Sequence, residues 1–307
     1  MKKALYTALA LFFLSACIGN ADDGDSQAIK IAYLPITHSV AVMMMAELDY
    51  GDSPHRIELV PFTTWPDVVD ALRTGRVDGA SILFEVALQA KNEDTGGLKM
   101  LSLSHRDGNV VVVDNSITSY HDLIGKIVAI PHRLSPQHTL LQKVLEREGI
   151  SPNDIQIIEI SPAEMPFSMA SGAIAAYIVA EPFGSIAENA GVGWIIETSD
   201  QIYPYSVCCV MVFRQDILNE EIREWLQASF SRAAQAAHKR DDLVIDTFMR
   251  RTNLSRAVVG YSLRNTHFEN LQLSEQEYQN ITDIILQYGI LERIPDFYDF
   301  VLTKGAE

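Results

Sequence analysis

Short apolar runs recur along the chain, separated by stretches whose apolar positions fall three and four residues apart. The runs "IKIAYLP" (29–35), "RIELVPF" (56–62), "GASILF" (79–84) and "KMLSLS" (99–104) read as strands. A second set follows: "KIVAIP" (126–131), "IQIIEI" (155–160), "AIAAYIVA" (173–180) and "WIIET" (194–198). Between them lie helical patterns such as "WPDVVDALRTG", with Val68, Val69 and Leu72 on one face, "QHTLLQKVLEREG" and "EMPFSMASG". Strands alternating with helices predict parallel sheets covered by helices. After about residue 216 the pattern is helical throughout, in "EIREWLQASFSRAAQAAH", "DDLVIDTFMRR" and "SEQEYQNITDIILQYG".

The two sets share a detail. "ALRTGRVDGASILFE" (71–85) and "SMASGAIAAYIVAEP" (168–182) align on Gly75 and Gly172, each a helix end, a glycine and then a strand. Glycine there fits a helix C-terminus that needs positive φ. The fold class expected is α/β, with two lobes of similar build. "NVVVVDNSI" (109–117) crosses from the first lobe to the second, and "SVCCVMVF" (206–213) crosses back. Two adjacent crossings make a hinge, and a ligand belongs in the cleft between the lobes.

The start of the chain concerns location. Met1-Lys2-Lys3 precedes an apolar run from Ala4 to Leu14, which reads as an export signal and is too short to span a bilayer. It ends Leu14-Ser15-Ala16-Cys17, which resembles a bacterial lipobox and implies lipidation of Cys17. Residues 1–17 are then a signal peptide. "IGNADDGDSQA" (18–28) has the small, polar, acidic composition of a tether. The expected arrangement continues with lobe one over 29–112, lobe two over 113–209, and a return to lobe one with C-terminal helices over 210–307. The chain is expected outside the cell membrane, held to it by lipid.

Charge removes some functions. Lys and Arg number 24 against 40 Asp and Glu, a net −16; loss of Lys2 and Lys3 with the signal makes it −18. Nucleic acid and a basic membrane-binding face are poor partners for such a chain. A single small anion is still compatible, because helix N-termini bind anions without net positive charge. Cys208 and Cys209 are adjacent, which disfavours a disulfide between them, and their apolar surroundings read as core. There is no CxxC pair, and no metal site or cofactor is expected.

The order of "IAYLPITHS", "TTW", "LRTGRVDGA", "SPQHTLL", "EMPFSMASGAIAAYIVAEPF" and "VCCVMVF" behind a lipobox resembles the substrate-binding proteins of ABC importers in the nitrate, sulfonate, taurine and bicarbonate group, which is similar to the pyrimidine-precursor binders. The resemblance covers most of residues 29–215. It implies a two-lobe periplasmic-binding-protein-like fold of type II, a small solute, a membrane permease with its ATPase subunit, a monomer, and no catalysis.

Ligands in open α/β sheets bind outside the carboxyl ends of the strands. "PHRLSPQH" lies at such an end, where Ser135 can cap the next helix and Gln137 and His138 can reach a ligand; Arg133 is read as solvated. In lobe one Thr37 is a candidate N-cap and donor, beside His38. Trp65, ahead of Pro66, is a candidate pocket wall. Met43, Met44 and Met45 cannot share one helix face, and at least one should pack in the core. Ser81 and Phe84 end the third strand, His105 follows the fourth, and Glu181 ends the matching strand of lobe two. A carboxylate at 181 would suit a donor-bearing solute or pair with an arginine. No lysine lies between Lys143 and Lys239, where simple-anion binders can use one; four histidines, His38, His105, His132 and His138, stand at strand ends instead. The alternatives to anion or organic solute capture are a histidine-lined metal-binding protein and a binder of a pyrimidine-type heterocycle. An enzyme is disfavoured by the lack of a nucleophile–base motif, a G-x-S-x-G turn or a phosphate loop.

Overall fold

The computed structural model describes residues 27–303, apart from Asp49, Asp52 and residues 94–96. Cys17, the signal segment and most of the tether lie outside the described residues. The chain runs β1 (Gln27–Tyr33), α1 (Val40–Glu47), β2 (His55–Pro61), α2 (Trp65–Arg73), β3 (Gly79–Leu83), α3 (Phe84–Asn92), β4 (Lys99–Leu103), β5 (Arg106–Asp107) and β6 (Asn109–Asp114). It continues through β7 (Ile127–Ile130), α4 (Pro136–Glu148), β8 (Gln156–Glu159), α5 (Met165–Ala170), β9 (Ala176–Ala180), α6 (Phe183–Ala190), β10 (Gly193–Thr198), α7 (Ser199–Ile202) and β11 (Cys209–Phe213). The remainder is α8 (Glu220–Lys239), α9 (Asp242–Thr252), α10 (Arg256–Ser262), β12 (Thr266–His267), α11 (Glu275–Gln287) and α12 (Phe297–Phe300). Among the described residues no helix is long and apolar enough to cross a membrane.

Two five-stranded sheets result, in the orders β2-β1-β3-β11-β4 and β10-β6-β9-β7-β8. In the first, β1 lies parallel between β2 and β3, and β11 is antiparallel to β3 and β4. In the second, β7 is parallel to β8 and β9, and β6 is antiparallel to β9 and β10. Each sheet thus takes in one strand delivered from the other side, β11 in the first and β6 in the second. β6 lies wholly in the second sheet, so the outward crossing occupies Ser104–Gly108, just before it. β1 starts at Gln27 because Gln27 and Ala28 pair with His55 and Arg56; the last two residues assigned to the tether are therefore strand.

The cores follow from side-chain alternation. Along β6, Val111 and Val113 enter one apolar cluster while Val110 and Val112 enter another on the opposite face. The first sheet shares one larger core with α8, α9, α11 and α12. That core explains the methionine run. Met43, Met44 and Met45 are all fully buried, because α1 is enclosed by β2, α8 and α9. The internal resemblance is also structural: Gly75 after α2 and Gly172 after α5 have φ of 70° and 73°, and each leads to a fully buried central strand.

Candidate functional site

The carboxyl ends of the strands in both sheets converge on the two crossings, and a buried polar cluster forms there. β1 ends in a short 3₁₀ turn, Thr37–Ser39, that buries Thr37 and His38. β4 leads to His105, β3 to Glu85 in the first turn of α3, and the return crossing brings Cys208 and Cys209. The second sheet contributes Asn109 at the start of β6, Gln137 and Thr139 on α4, and Glu181 after β9. Each of these ten side chains is less than a tenth exposed.

The centre is His38 and His105, whose rings stack with centroids 3.7 Å apart. Both sulfurs face His38: Cys208 Sγ lies 3.5 Å and Cys209 Sγ 3.7 Å from His38 Nδ1, and the sulfurs are 3.9 Å apart. Neighbouring side chains of a regular strand point to opposite faces. β11 begins only at Cys209, and the break at Cys208 lets both thiols turn to one side. Neither cysteine is in a disulfide. His105 Nε2 accepts from the Cys209 amide at 3.2 Å.

Lobe two closes over this centre. Gln137 Nε2 donates to Asn109 Oδ1 at 2.6 Å and lies 3.5 Å from Cys208 Sγ. Thr139 Oγ1 donates to Glu85 Oε1 at 3.0 Å. The Thr37 amide and hydroxyl both donate to the Glu181 carbonyl, at 2.9 and 3.0 Å.

Electrostatics follow from burial. Burial and the stacked His38 ring hold His105 down at about 4, so it is a neutral imidazole at physiological pH. Burial pushes Glu85 up to about 8. Burial opposes charge on both thiols as well. At Cys208 a hydrogen bond from Cys209 and the two imidazoles outweigh it and draw the thiol below its ordinary value. Burial and the neighbouring Cys208 push Cys209 up. Several atoms here have no hydrogen-bond partner among the described residues: His38 Nε2, His105 Nδ1, Asn109 Nδ2, Gln137 Oε1 and Glu85 Oε2. Buried polar atoms are normally satisfied, so five such atoms in one place make this cluster the candidate site.

The residues singled out from sequence divide into two groups. Thr37, His38, His105, Gln137 and the Glu181 backbone meet in this cluster. The others do not. Thr37 is not an N-cap, since the turn starts after Ile36 without a side-chain cap. Ser135 is the N-cap of α4, accepting from the His138 amide at 3.1 Å. His138 folds back on its own loop, with Nδ1 2.9 Å from the Arg133 carbonyl oxygen. His132 Nδ1 likewise accepts from the Leu134 amide at 2.9 Å. Arg133 is exposed yet engaged, donating to the Ile157 carbonyl at 2.7 Å. Trp65 is the first residue of α2, after the N-cap Thr64, and packs in the lobe-one core. Phe84 meets Tyr278 edge-on at 5.9 Å, and Ser81 Oγ lies 2.9 Å from Ser104 Oγ. Among the described residues the Glu181 carboxylate pairs with no arginine. It accepts from the Ser185 amide and hydroxyl at 2.9 and 2.8 Å.

Glu85, Asn109, Thr139 and the two cysteines were not singled out as site residues from sequence. A glutamate directly after a buried strand was the available signal for Glu85. For Cys208 and Cys209 the strand pattern pointed to the core. A concavity of about 880 Å³ elsewhere, lined by residues such as Leu101, Phe230, Ala234 and Phe268, includes none of the cluster.

The profile of the NMT1-like family matches residues 22–243 of the chain. The chain belongs to the NMT1-like family. This NMT1-like chain is similar in structure to the ligand-binding component of an ABC-type import system from Staphylococcus aureus, solved with zinc bound. The two are 33% identical with a TM-score of 0.82, over 90% of this chain and 96% of that one. It shares the fold of the aliphatic sulphonate-binding protein SsuA from Escherichia coli, at 19% identity and a TM-score of 0.72, over 90% and 92% of the two chains. Among curated sequences it is 23% identical to the nitrate import ATP-binding protein NrtC of a Synechocystis strain, over 62% of this chain and 32% of that protein. The NMT1-like chain therefore spans about a third of the length of the first curated relatives it matches.

Proposed function

We propose that the chain is the solute-binding component of an ABC importer. It takes a small solute between its two lobes and hands it to a permease worked by an ATPase subunit. One observation carries this reading. Unpartnered buried polar atoms from both sheets converge at the two crossings, where closure of one sheet on the other would enclose a ligand. The relatives agree in kind: their names describe ligand-binding components of import systems, a sulphonate-binding protein, and a nitrate importer subunit. The zinc bound in the Staphylococcus aureus relative supports including a cation among the solutes to be tried with this chain.

The cluster binds without covalent chemistry in this reading. It pairs neutral donors and acceptors with imidazole and thiol groups. The nearest arginine in sequence, Arg106, is held by Glu277 at 2.6 and 3.1 Å and by the Tyr205 and Asn270 carbonyls. The chain is exported and tethered through lipid on Cys17, which leaves the folded part free to meet its permease.

The test is chemical cross-linking in the membranes of the host, followed by mass spectrometry of what stays attached to the chain. An ABC permease subunit with its ATPase is the expected partner. Recovery of the chain free of any such permease would overturn the reading.

A further inference from the structure

We propose that His38, His105, Cys208 and Cys209 together hold one thiophilic transition-metal ion, of the zinc(II) or copper(I) kind, as the solute of this cleft. The proposal rests on the solute-binding reading above and names the class of solute.

The first argument is geometric. One ligand atom from each of the four residues lies within 4.8 Å of the others. In a tetrahedral site with sulfur at about 2.3 Å and nitrogen at about 2.05 Å from zinc, the S···S edge is about 3.8 Å and each N···S edge about 3.6 Å. The observed S···S separation is 3.9 Å, and His38 Nδ1 stands 3.5 and 3.7 Å from the two sulfurs. Three edges of the tetrahedron already have their metal-bound lengths, and His105, with a ring nitrogen within 4.8 Å of the other three ligand atoms, would supply the fourth donor by turning off the His38 ring and moving its proton to the far nitrogen.

The second argument is the donor set. Two thiolates and two imidazoles favour soft or borderline ions over magnesium or calcium, which take oxygen ligands. Two thiolates also cancel the charge of a divalent ion. A neutral unit is what a dry, fully buried site accepts most readily. Taurine, sulfonate or nitrate would instead need several donors aimed at oxygen atoms. Here the central groups are sulfurs and ring nitrogens, and all four residues are completely buried.

The third argument is where the strain of packing falls. Gly108 has φ of 83°, and a Cβ there would lie 3.0 Å from His38 Nε2. Backbone is thus packed directly behind the His38 ring and limits its movement. The break in β11 at Cys208 turns two adjacent thiols to one side, which a strand built only for packing would not do.

The experiment uses the full mature chain, stripped by refolding with a chelator, reduced, and kept free of oxygen. Cobalt(II) is added as a spectroscopic probe, then zinc(II) and copper(I) against competing chelators. The expected result is one ion per chain. Cobalt should give intense visible bands of tetrahedral geometry and near-ultraviolet thiolate charge-transfer bands, both erased by zinc. Cys208→Ser and Cys209→Ser should each roughly halve the charge-transfer intensity and weaken zinc binding by about 100-fold. The wild-type cobalt spectrum decides the matter even where a variant fails to fold. Octahedral cobalt bands, no binding, a bond between the two sulfurs in the native protein, or affinity unchanged in both serine variants would each overturn the site. The permease cross-linking is independent of these outcomes, so loss of the metal site leaves the importer reading to stand or fall by itself.

Discussion

Thr139 on α4 and Glu85 on α3 join the two lobes through a single hydrogen bond, the threonine hydroxyl donating to Glu85 Oε1 at 3.0 Å. The bond is buried, and it gives Glu85 its one side-chain donor among the described residues. Replacing Thr139 with valine keeps the shape and removes the donor. Stability should fall by about 1–3 kcal/mol, the cost of leaving a buried acceptor unsatisfied. Urea denaturation measures it, and an unchanged midpoint would mean that the lobes are not joined in this way in solution.

Glu181 predicts a pH dependence. Burial pushes its carboxyl from 4.5 up to about 7, with Glu188 adding to the rise and the Ser185 donors opposing it. Between these two values the folded chain holds a proton that the unfolded chain has lost. The Glu181 contribution to stability should therefore decline as pH rises from about 4.5 to about 7 and then level off. The contribution is roughly 3 kcal/mol in total. Glu181→Gln should remove this part of the pH dependence in denaturation curves collected across the range, leaving the part that comes from Glu85 and His105. An identical slope in the variant would remove Glu181 as its source.

Gly108→Ala should destabilise the protein on two counts. The position has φ of 83°, and a Cβ would come within 2.4 Å of Thr266 Oγ1. A loss of about 1–3 kcal/mol is expected from backbone strain alone. A thermal melt should show a clear drop, larger than for alanine at the open glycine Gly125, where nothing lies within 4 Å.

Ser135 and Gln137 sit two residues apart yet should behave differently. Ser135 caps α4, so Ser135→Ala should cost about 1 kcal/mol of stability and leave ligand affinity intact. Gln137 touches Asn109 and Cys208 inside the cluster, so Gln137→Ala should weaken binding of the solute. Calorimetric titration beside a melt separates the two. A larger binding defect in the serine variant would reverse the assignment.

Much of the fold was legible because its signals are local. Short apolar strands, helical spacing and the Gly75 and Gly172 turns are each written within a dozen residues. The strands of the two five-stranded sheets begin and end within three residues of the runs read from sequence, while the two-residue strands β5 and β12 matched no run. The site was legible only in part, because it is assembled by topology. His38 and His105 are 67 positions apart in the chain and touch only because β1 and β4 deliver them to the same end of one sheet. The apolar run around Cys208 and Cys209 read as core, and nothing local in the sequence signals that the irregular backbone at Cys208 turns both thiols toward His38. His132 and His138 carried the same signal as His38, but the Nδ1 of each is taken up by its own loop, and His138 Nε2 lies 3.1 Å from Gln142 Nε2. Trp65 followed the rule for large aromatics and packs in the core.

His105 lies on the outward crossing and Cys208 with Cys209 on the return, so three of the four central donors belong to the axle of the molecule and not to its jaws. His38, at the end of β1, stays with the first sheet beside them. Were the second sheet to swing away about this axle, Gln137, Thr139 and Glu181 would depart together while the sulfurs and imidazoles kept their mutual spacing. The floor of the vessel would stay whole as its cover lifted. An occupant would then leave by being outcompeted for its ligands at an uncovered floor, and a receiving surface would need donors of its own to take it.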